Sequence, residues 1–284
     1  MKQKKIYIII VNYKGKNSLN TCLKSVYTSD YLEKEVVVVD NASRDGSLEL
    51  AKEQFTRTHF IISEKNRGFA AGANLGIRFA LERTADYILL LNNDAKLERK
   101  TLSNMIRFAE KLGPSIVSPK IVFPHGKEWF SGGRINWIRF RSEHRVGKER
   151  FKKGEDLEYV PGCAMLIEKS IFSAIGLFDE QFFLYYEDVD FCFRARKKKF
   201  PIRVLLTEKV FHEEKSEKNQ VKKVYYLVQS GEKFFKKHSS GLCLIWFYIF
   251  YFLRRVKNYR DRKKNPYNPM TLSISKALRN IPYE

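Results

Sequence analysis

Three apolar runs each stop at a short polar cluster: residues 6–11 at Asn12-Tyr13, residues 36–39 at Asp40-Asn41, and residues 87–91 at Asn92-Asn93-Asp94. In open α/β sheets the ligand crevice lies outside the carboxyl ends of the strands, where helix N-termini and short polar side chains converge. A carboxylate at such a strand end has no room in the core. With phosphate oxygens and water completing an octahedron, Asp94 would hold Mg2+ or Mn2+; as the residue ahead of a helix it would equally serve as an N-cap. Asn12 and Asp40 face the same crevice and could hydrogen-bond a base and a ribose, or each could close its own turn.

The segment Asn66-Arg67-Gly68-Phe69-Ala70-Ala71-Gly72-Ala73-Asn74 opens a helix with small residues that let the backbone approach a ligand, and Arg67 is available for a phosphate. Helix–sheet packing favours the same small residues. The spacing matches neither G-x-G-x-x-G nor the P-loop, which removes those two nucleotide cradles. Further on, Glu187-Asp188 follow the aromatic run 182–186 and stand at a pocket wall, where a carboxylate can be tuned into a general base. Acids in a first helical turn are also stabilised by the macrodipole whatever the function. Asp190, with Arg194 four residues on, reads as an ordinary structural helix pair. His212, at the end of a late strand, is a metal or phosphate ligand in one reading and neither in another.

Positioning these groups takes alternating elements. The pattern predicts strands at 6–12, 35–40, 58–62, 86–91 and 115–121, with helices at 17–29, 45–55, 69–82 and 98–111 between them. Such alternation means an α/β fold with a mostly parallel central sheet and helices on both faces. Ser43-Arg44-Asp45-Gly46-Ser47 supplies a turn and cap for the second helix, and Gly113-Pro114 ends the fourth. Over 123–154 the pattern dissolves into Gly, Lys, Arg and aromatics, which predicts a hairpin and loops open to an acceptor. Order returns with an extended stretch at 157–167, a helix near 169–175, a helix opened by Glu187 and a strand at 202–206. A composition change near residue 215 divides a 1–215 domain from a basic, aromatic-rich helical tail at 216–284.

A chain of 284 residues with 44% hydrophobic content has ample material for a core. Its formal charge of +21 is concentrated late: residues 194–284 hold 23 Lys and Arg against 7 Asp and Glu. Such a block seeks phosphates on lipid or nucleic acid. Cys22, Cys163, Cys192 and Cys243 show no C-x-x-C pair and no metal-ligand spacing, which points to a reducing compartment without disulfides or zinc. The basic start of the chain leads into an apolar stretch broken at Asn12, which reads as a first strand and not a secretion signal. The expected location is cytoplasmic. Within the tail, residues 242–253 form an apolar, aromatic run flanked by basic residues. As a helix it extends about 18 Å, against about 30 Å for a bilayer core, so it suits the membrane surface better than a crossing.

As a set in this order, Val11-Asn12-Tyr13, Val39-Asp40-Asn41-Ala42-Ser43 with Asp45-Gly46-Ser47, the 66–76 segment, Leu91-Asn92-Asn93-Asp94, and Phe178-Asp179-Glu180 through Tyr186-Glu187-Asp188-Val189-Asp190 with Arg194 resemble the family 2 glycosyltransferases, in the rhamnosyltransferase-like branch with a GT-A fold. The resemblance implies metal-dependent, inverting transfer of rhamnose or a similar sugar from a dTDP- or UDP-linked donor to a saccharide or lipid-linked acceptor in cell-surface polysaccharide synthesis. By the same likeness Asn12, Tyr13 and Asp40 hold the nucleoside, Asn66, Arg67 and Gly68 border the donor, and Asn92-Asn93 lead to the metal ligand Asp94. Asn92 stands where the family often has a first aspartate, which leaves that position a weaker ligand. Asp188 matches the catalytic base, Glu187 its neighbour, and His212 a late histidine that helps bind metal and diphosphate. The tail is then expected to lie peripherally on the anionic inner face of the cell membrane, or else to pack on the domain or in a dimer interface. Two other classes compete: a basic nucleic-acid-binding protein, which lacks a matching motif here, and a sugar nucleotidyltransferase, which lacks the Gly-rich basic loop after the first strand. No nucleic-acid partner is expected.

Overall fold

Runs of Ile, Val and Leu without polar interruption suit strands covered on both faces, and the first half of the chain places such runs at the centre of one sheet. The computed structural model describes residues 3–147, 157–213 and 220–283. Its elements are β1 (Ile6–Asn12), α1 (Leu19–Tyr27), β2 (Lys34–Asp40), α2 (Ser47–Gln54), β3 (Thr58–Ile62), α3 (Gly68–Leu81), β4 (Tyr87–Asn92), β5 (Ala95–Leu97), α4 (Thr101–Leu112), β6 (Ile116–Val122), β7 (Glu128–Phe130), β8 (Gly133–Asn136), β9 (Arg141–His144), β10 (Ala164–Glu168), α5 (Lys169–Ile175), α6 (Glu187–Lys197), β11 (Ile202–His212), α7 (Gln220–His238), α8 (Gly241–Lys264) and α9 (Pro269–Leu278).

Along the main sheet the strands follow the order β3-β2-β1-β4-β10-β6-β11-β5, with β7 against β6. From β3 to β4 all pairs are parallel, and register aligns Asn12 with Asp40 and Val11 with Asn92. The three polar strand ends therefore sit side by side. Beyond β4 the sheet is mixed: β10 lies antiparallel to both β4 and β6, and β5 antiparallel to β11. The reason is local, since β10 follows the β8–β9 hairpin and not a crossover helix, so nothing forces it parallel. The helix α3 packs on β1 through small residues; a Cβ at Gly76 would stand 2.4 Å from Ile9 Cγ2.

One element exceeds the sequence pattern. β11 runs to His212, well past 206, because it changes partner: it pairs with β6 through Leu205, shifts register, and then pairs with β5 as well. That pairing sets His212 opposite Ala95, beside Asp94. The expected hairpin is β8–β9, and the last part of the predicted 123–154 loop region lies outside the described residues, as does the predicted boundary near 215.

The tail splits by face. α7 buries Tyr225, Phe234 and Phe235 in the core that the sheet and α6 share. At its C-terminal end Lys237 and His238 each reach Asp190 Oδ1 at 2.7 Å. α8 turns Phe247 and Tyr251 inward onto Phe140. Its opposite side shows Leu242, Ile245, Ile249, Phe252 and Leu253 to solvent.

Candidate active site

Asn12 is fully buried, and its amide nitrogen donates to Asp40 Oδ1 at 2.8 Å and to the Ser43 and Ser47 hydroxyls at 2.9 Å. Asp40 Oδ2 accepts from the Ser43 backbone N–H at 3.1 Å. Both residues thus tie the turn after β2 to the end of β1, and neither borders a cavity directly. Asn41 carries the tie to α3: its amide donates to Asn66 Oδ1 and the Gly68 carbonyl, and its Oδ1 accepts from the Arg67 N–H. The Arg67 guanidinium points the other way, to Glu180 at 3.5 Å.

A cavity of about 190 Å³ opens above these ties, bordered by Tyr13, Asn41, Asn66, Gly68, Asn92, Asn93, Asp94 and Lys222. Gly68 has φ +85°, and a Cβ there would meet the Phe183 carbonyl oxygen at 2.3 Å. The start of α3 and the loop before α6 can close on each other only because that side chain is missing.

Asp94 lies at the junction of this cavity with a larger one of about 630 Å³. Asn93 donates to Asn12 Oδ1 at 2.9 Å, which fixes the β4 end. Asp94 Oδ1 and His212 Nε2 are 3.1 Å apart, and the Asn92 amide nitrogen is 3.1 Å from the same Nε2. Among the described residues no three His, Cys, Asp or Glu side chains cluster as a metal cage. A carboxylate oxygen and an imidazole nitrogen side by side fit a divalent cation that takes its remaining ligands from phosphate and water.

Glu187 and Asp188, in the first turn of α6, line the larger cavity as well. Tyr185 and Tyr186 precede them with φ of 65° and 67°, two successive left-handed residues. For side-chain-bearing residues this conformation costs about 1–2 kcal/mol each, and packing must hold it. The Ser142 N–H donates to the Tyr186 hydroxyl at 3.1 Å and the Ser230 hydroxyl to the Leu184 carbonyl at 2.8 Å. Strain of this kind concentrates at functional sites. Asp188 Oδ2 accepts from the Gly162 N–H at 3.0 Å and Oδ1 from the Val189 N–H at 2.8 Å.

Burial raises the pKa of both acids, and for Glu187 the charge of Asp188 raises it further. Backbone donors counteract that rise more at Asp188, which accepts from Gly162 and Val189, than at Glu187, whose Oε2 has no hydrogen-bond partner among the described residues. The larger rise therefore falls on Glu187, and the ionised form is the better supported one at Asp188.

The remaining wall of the larger cavity comprises Trp129, Ser142, His144, Tyr159, Lys223 and Leu227 among others. Trp129 packs edge-on against His144 and His212, with ring centroids 4.5 and 5.4 Å away. Sequence reasoning marked the 123–154 region for acceptor contact without selecting these residues, and it missed Lys222 and Lys223 altogether. An aromatic in a three- or four-residue strand such as β7 or β9 carries no periodic signal, and a lysine in a basic helix has no distinguishing one.

An α/β sheet with a carboxylate at a strand end and a carboxylate pair lining the same cavity fits the architecture of GT-A glycosyltransferases. Residues 7–176 match the model of glycosyl transferase family 2, and the chain belongs to that family. It is 32% identical over 200 residues to the low-salt glycan biosynthesis hexosyltransferase Agl10 of Haloferax volcanii, covering 69% of this chain and 62% of that protein. With the dTDP-rhamnosyl transferase RfbF of Shigella flexneri it shares 25% identity over 213 residues, 73% of this chain and 68% of that one. The crystal structure of GalNAc-T7 with UDP, GalNAc and Mn2+ superposes with a TM-score of 0.61 at 15% identity, over 74% of this chain and 44% of that chain, which establishes the common fold.

Proposed function

We propose that this glycosyltransferase moves rhamnose or a similar hexose from a dTDP- or UDP-linked donor to a hydroxyl of a saccharide or lipid-linked acceptor, with inversion at the anomeric carbon. The observation that carries this reading is that Asp94 and His212 share the wall of a single cavity of about 630 Å³ with Glu187 and Asp188, a volume large enough for two sugar rings. The nucleoside enters the smaller cavity along Tyr13, Asn66 and Gly68. Asn12 and Asp40 act from beneath by fixing the floor.

Asp94 and His212, with Asn92 beside them, would hold Mg2+ or Mn2+, which when bound neutralises charge on the leaving diphosphate. Asp188 removes the proton from the acceptor hydroxyl as the new oxygen–carbon bond forms and the anomeric carbon–phosphate oxygen bond breaks. The nucleoside diphosphate leaves from the opposite face of the ring. One displacement inverts the centre and requires no nucleophilic carboxylate. The Shigella relative's name, which specifies a dTDP-rhamnosyl donor, supports the choice of sugar.

The exposed stripe of α8 supports docking on an anionic membrane surface. Leu242, Ile245, Ile249, Phe252 and Leu253 share one face, and Arg254, Lys257, Arg260, Lys263 and Lys264 follow on the same helix. Apolar insertion together with basic residues is the pattern of an interfacial helix. None of the described helices is long and apolar enough to cross a membrane.

The test is a panel of dTDP- and UDP-sugars, each with and without Mn2+, scored for thermal stabilisation and for release of nucleoside diphosphate in the presence of lipid-linked or free saccharide acceptors. At least one sugar nucleotide should stabilise the protein in a metal-dependent manner. A protein that responds to none of them contradicts the reading.

A further inference from the structure

The two cavities that meet at Asp94 carry the acidic charges of Asp94 and Asp188, with Glu187 beside them as the less readily ionised acid. Asp94, Glu187 and Asp188 border the larger one and Asp94 the smaller, whereas the lysine and arginine side chains at their walls, among the described residues, are Lys223 in the larger and Lys222 in the smaller. A donor that brings two phosphates meets an unfavourable field there unless cations are supplied. A single divalent ion at Asp94 would offset only part of it. Arg67, the cation that the sequence offers for phosphate, is turned toward Glu180.

Lys222 and Lys223 are consecutive residues in the first turn of α7, about 100° apart around its axis. That angle lets one side chain border each cavity, on either side of Asn92 and Asp94, which border both. The helix that carries them is fastened to the site. The Ser230 hydroxyl donates to the Leu184 carbonyl at 2.8 Å, and Leu184 itself borders both cavities. Further along α7, Phe234 and Phe235 are fully buried and Lys237 and His238 hold Asp190. The positions of the two lysines are thus set by the packing of α7.

We infer that Lys222 and Lys223 of α7 form a cationic clamp over the donor diphosphate at the junction of the two cavities, so that the tail helix completes the donor site. This rests on the glycosyltransferase reading above. It assigns the first turn of α7 a binding role in addition to its packing role, and it makes recognition of the diphosphate separable from recognition of the nucleoside.

Binding of UDP and dTDP is compared with that of uridine and thymidine, in Mn2+, by calorimetry on the full chain and on Lys222→Met, Lys223→Met, the double substitution, and Lys222→Arg/Lys223→Arg. Wild type should prefer diphosphate to nucleoside. The double Met variant should lose about 10-fold or more in diphosphate affinity, as expected for removal of charge-assisted hydrogen bonds, with nucleoside affinity unchanged and the Arg pair restoring diphosphate binding. Unchanged nucleoside affinity also certifies that the variant is folded. Equal diphosphate affinity in wild type and the double Met variant overturns the clamp while leaving the glycosyltransferase reading intact. Absence of any diphosphate binding by wild type overturns both.

Discussion

Glu187 and Asp188 are adjacent in sequence and occupy different electrostatic positions. Asp188 accepts two backbone hydrogen bonds, which stabilise its charge, and Glu187 has an unpartnered oxygen in a buried setting. A glutamine mimics a protonated glutamate in shape and charge. Glu187→Gln is therefore expected to keep kcat/KM within about 10-fold of wild type at neutral pH, a small effect beside the 10²–10⁴-fold typical of losing a general base. Steady-state kinetics checks this, and a Glu187→Gln enzyme as inactive as an Asp188→Asn one would assign the proton the other way.

The pH profile follows from the same pair. The base must be ionised to work, burial raises its pKa, and activity is lost as pH falls through that raised value. The acid limb of kcat/KM should accordingly lie above the ordinary carboxylate range of about 4. Removing the titrating neighbour in Glu187→Gln leaves a limb with one ionisation. A limb at or below the ordinary range contradicts the burial argument.

At the scale of elements, α6 joins catalysis to the tail. Its first turn presents Glu187 and Asp188 to the cavity, and its next acid, Asp190, faces Arg194, Lys237 and His238. Burial pushes the Asp190 pKa up, but the hydrogen bonds from His238 and Lys237 and the charge of Arg194 more than reverse this, to about 2. A depressed carboxyl contributes stability in full above its unfolded value of 3.8, and that contribution is lost as pH falls toward about 2. Asp190→Asn should lower unfolding stability by about 3 kcal/mol, the scale for stranding one side of a buried ion cluster, and should flatten the acid dependence in that window. Urea unfolding at neutral and acid pH measures both, and an unchanged midpoint would show that the Asp190 ion cluster does not stabilise the fold. Gly68→Ala should be as damaging, since its Cβ would strike the Phe183 carbonyl and adopt a left-handed φ.

Much of this was legible beforehand. The strands β1, β2 and β4 came out within a residue or so of the apolar runs because a strand buried on both faces cannot hide its pattern. The polar ends at Asn12, Asp40 and Asp94 were legible for the same reason: they are where the pattern stops. What escaped was set by contacts distant in sequence. Asp190 pairs with Arg194 by helical spacing, but Lys237 and His238 reach it from another helix. The residues expected to hold the nucleoside also divide by depth, with Tyr13 and Asn66 lining the smaller cavity and Asn12 and Asp40 tied into the turn beneath it, a distinction that residue type alone does not encode.

For the molecule as a whole, the charge of +21 and the exposed stripe of α8 lie on the same account. α7 packs inward beside the site and α8 offers its apolar side outward, so in the proposed account the tail completes the donor site and addresses a membrane surface. The full chain should float with anionic vesicles, less so in high salt and not with neutral ones, because the basic part is screened. Replacing Leu242, Ile249 and Phe252 with serine should abolish flotation without altering nucleotide binding, as all three are solvent-exposed or nearly half so. Flotation equal to that of the parent protein would assign the stripe to another role.

The central claim is that Asp94 and Asp188 serve one cavity, one for the donor and one for the acceptor. Measuring metal-dependent binding of the preferred sugar nucleotide together with transfer, in Asp94→Asn and Asp188→Asn side by side, tests it most directly. The account predicts that Asp188→Asn binds donor as wild type does and transfers 10²–10⁴-fold more slowly, whereas Asp94→Asn loses metal-dependent binding and transfer together. Near-normal transfer by Asp188→Asn, or undiminished metal-dependent binding by Asp94→Asn, would contradict it.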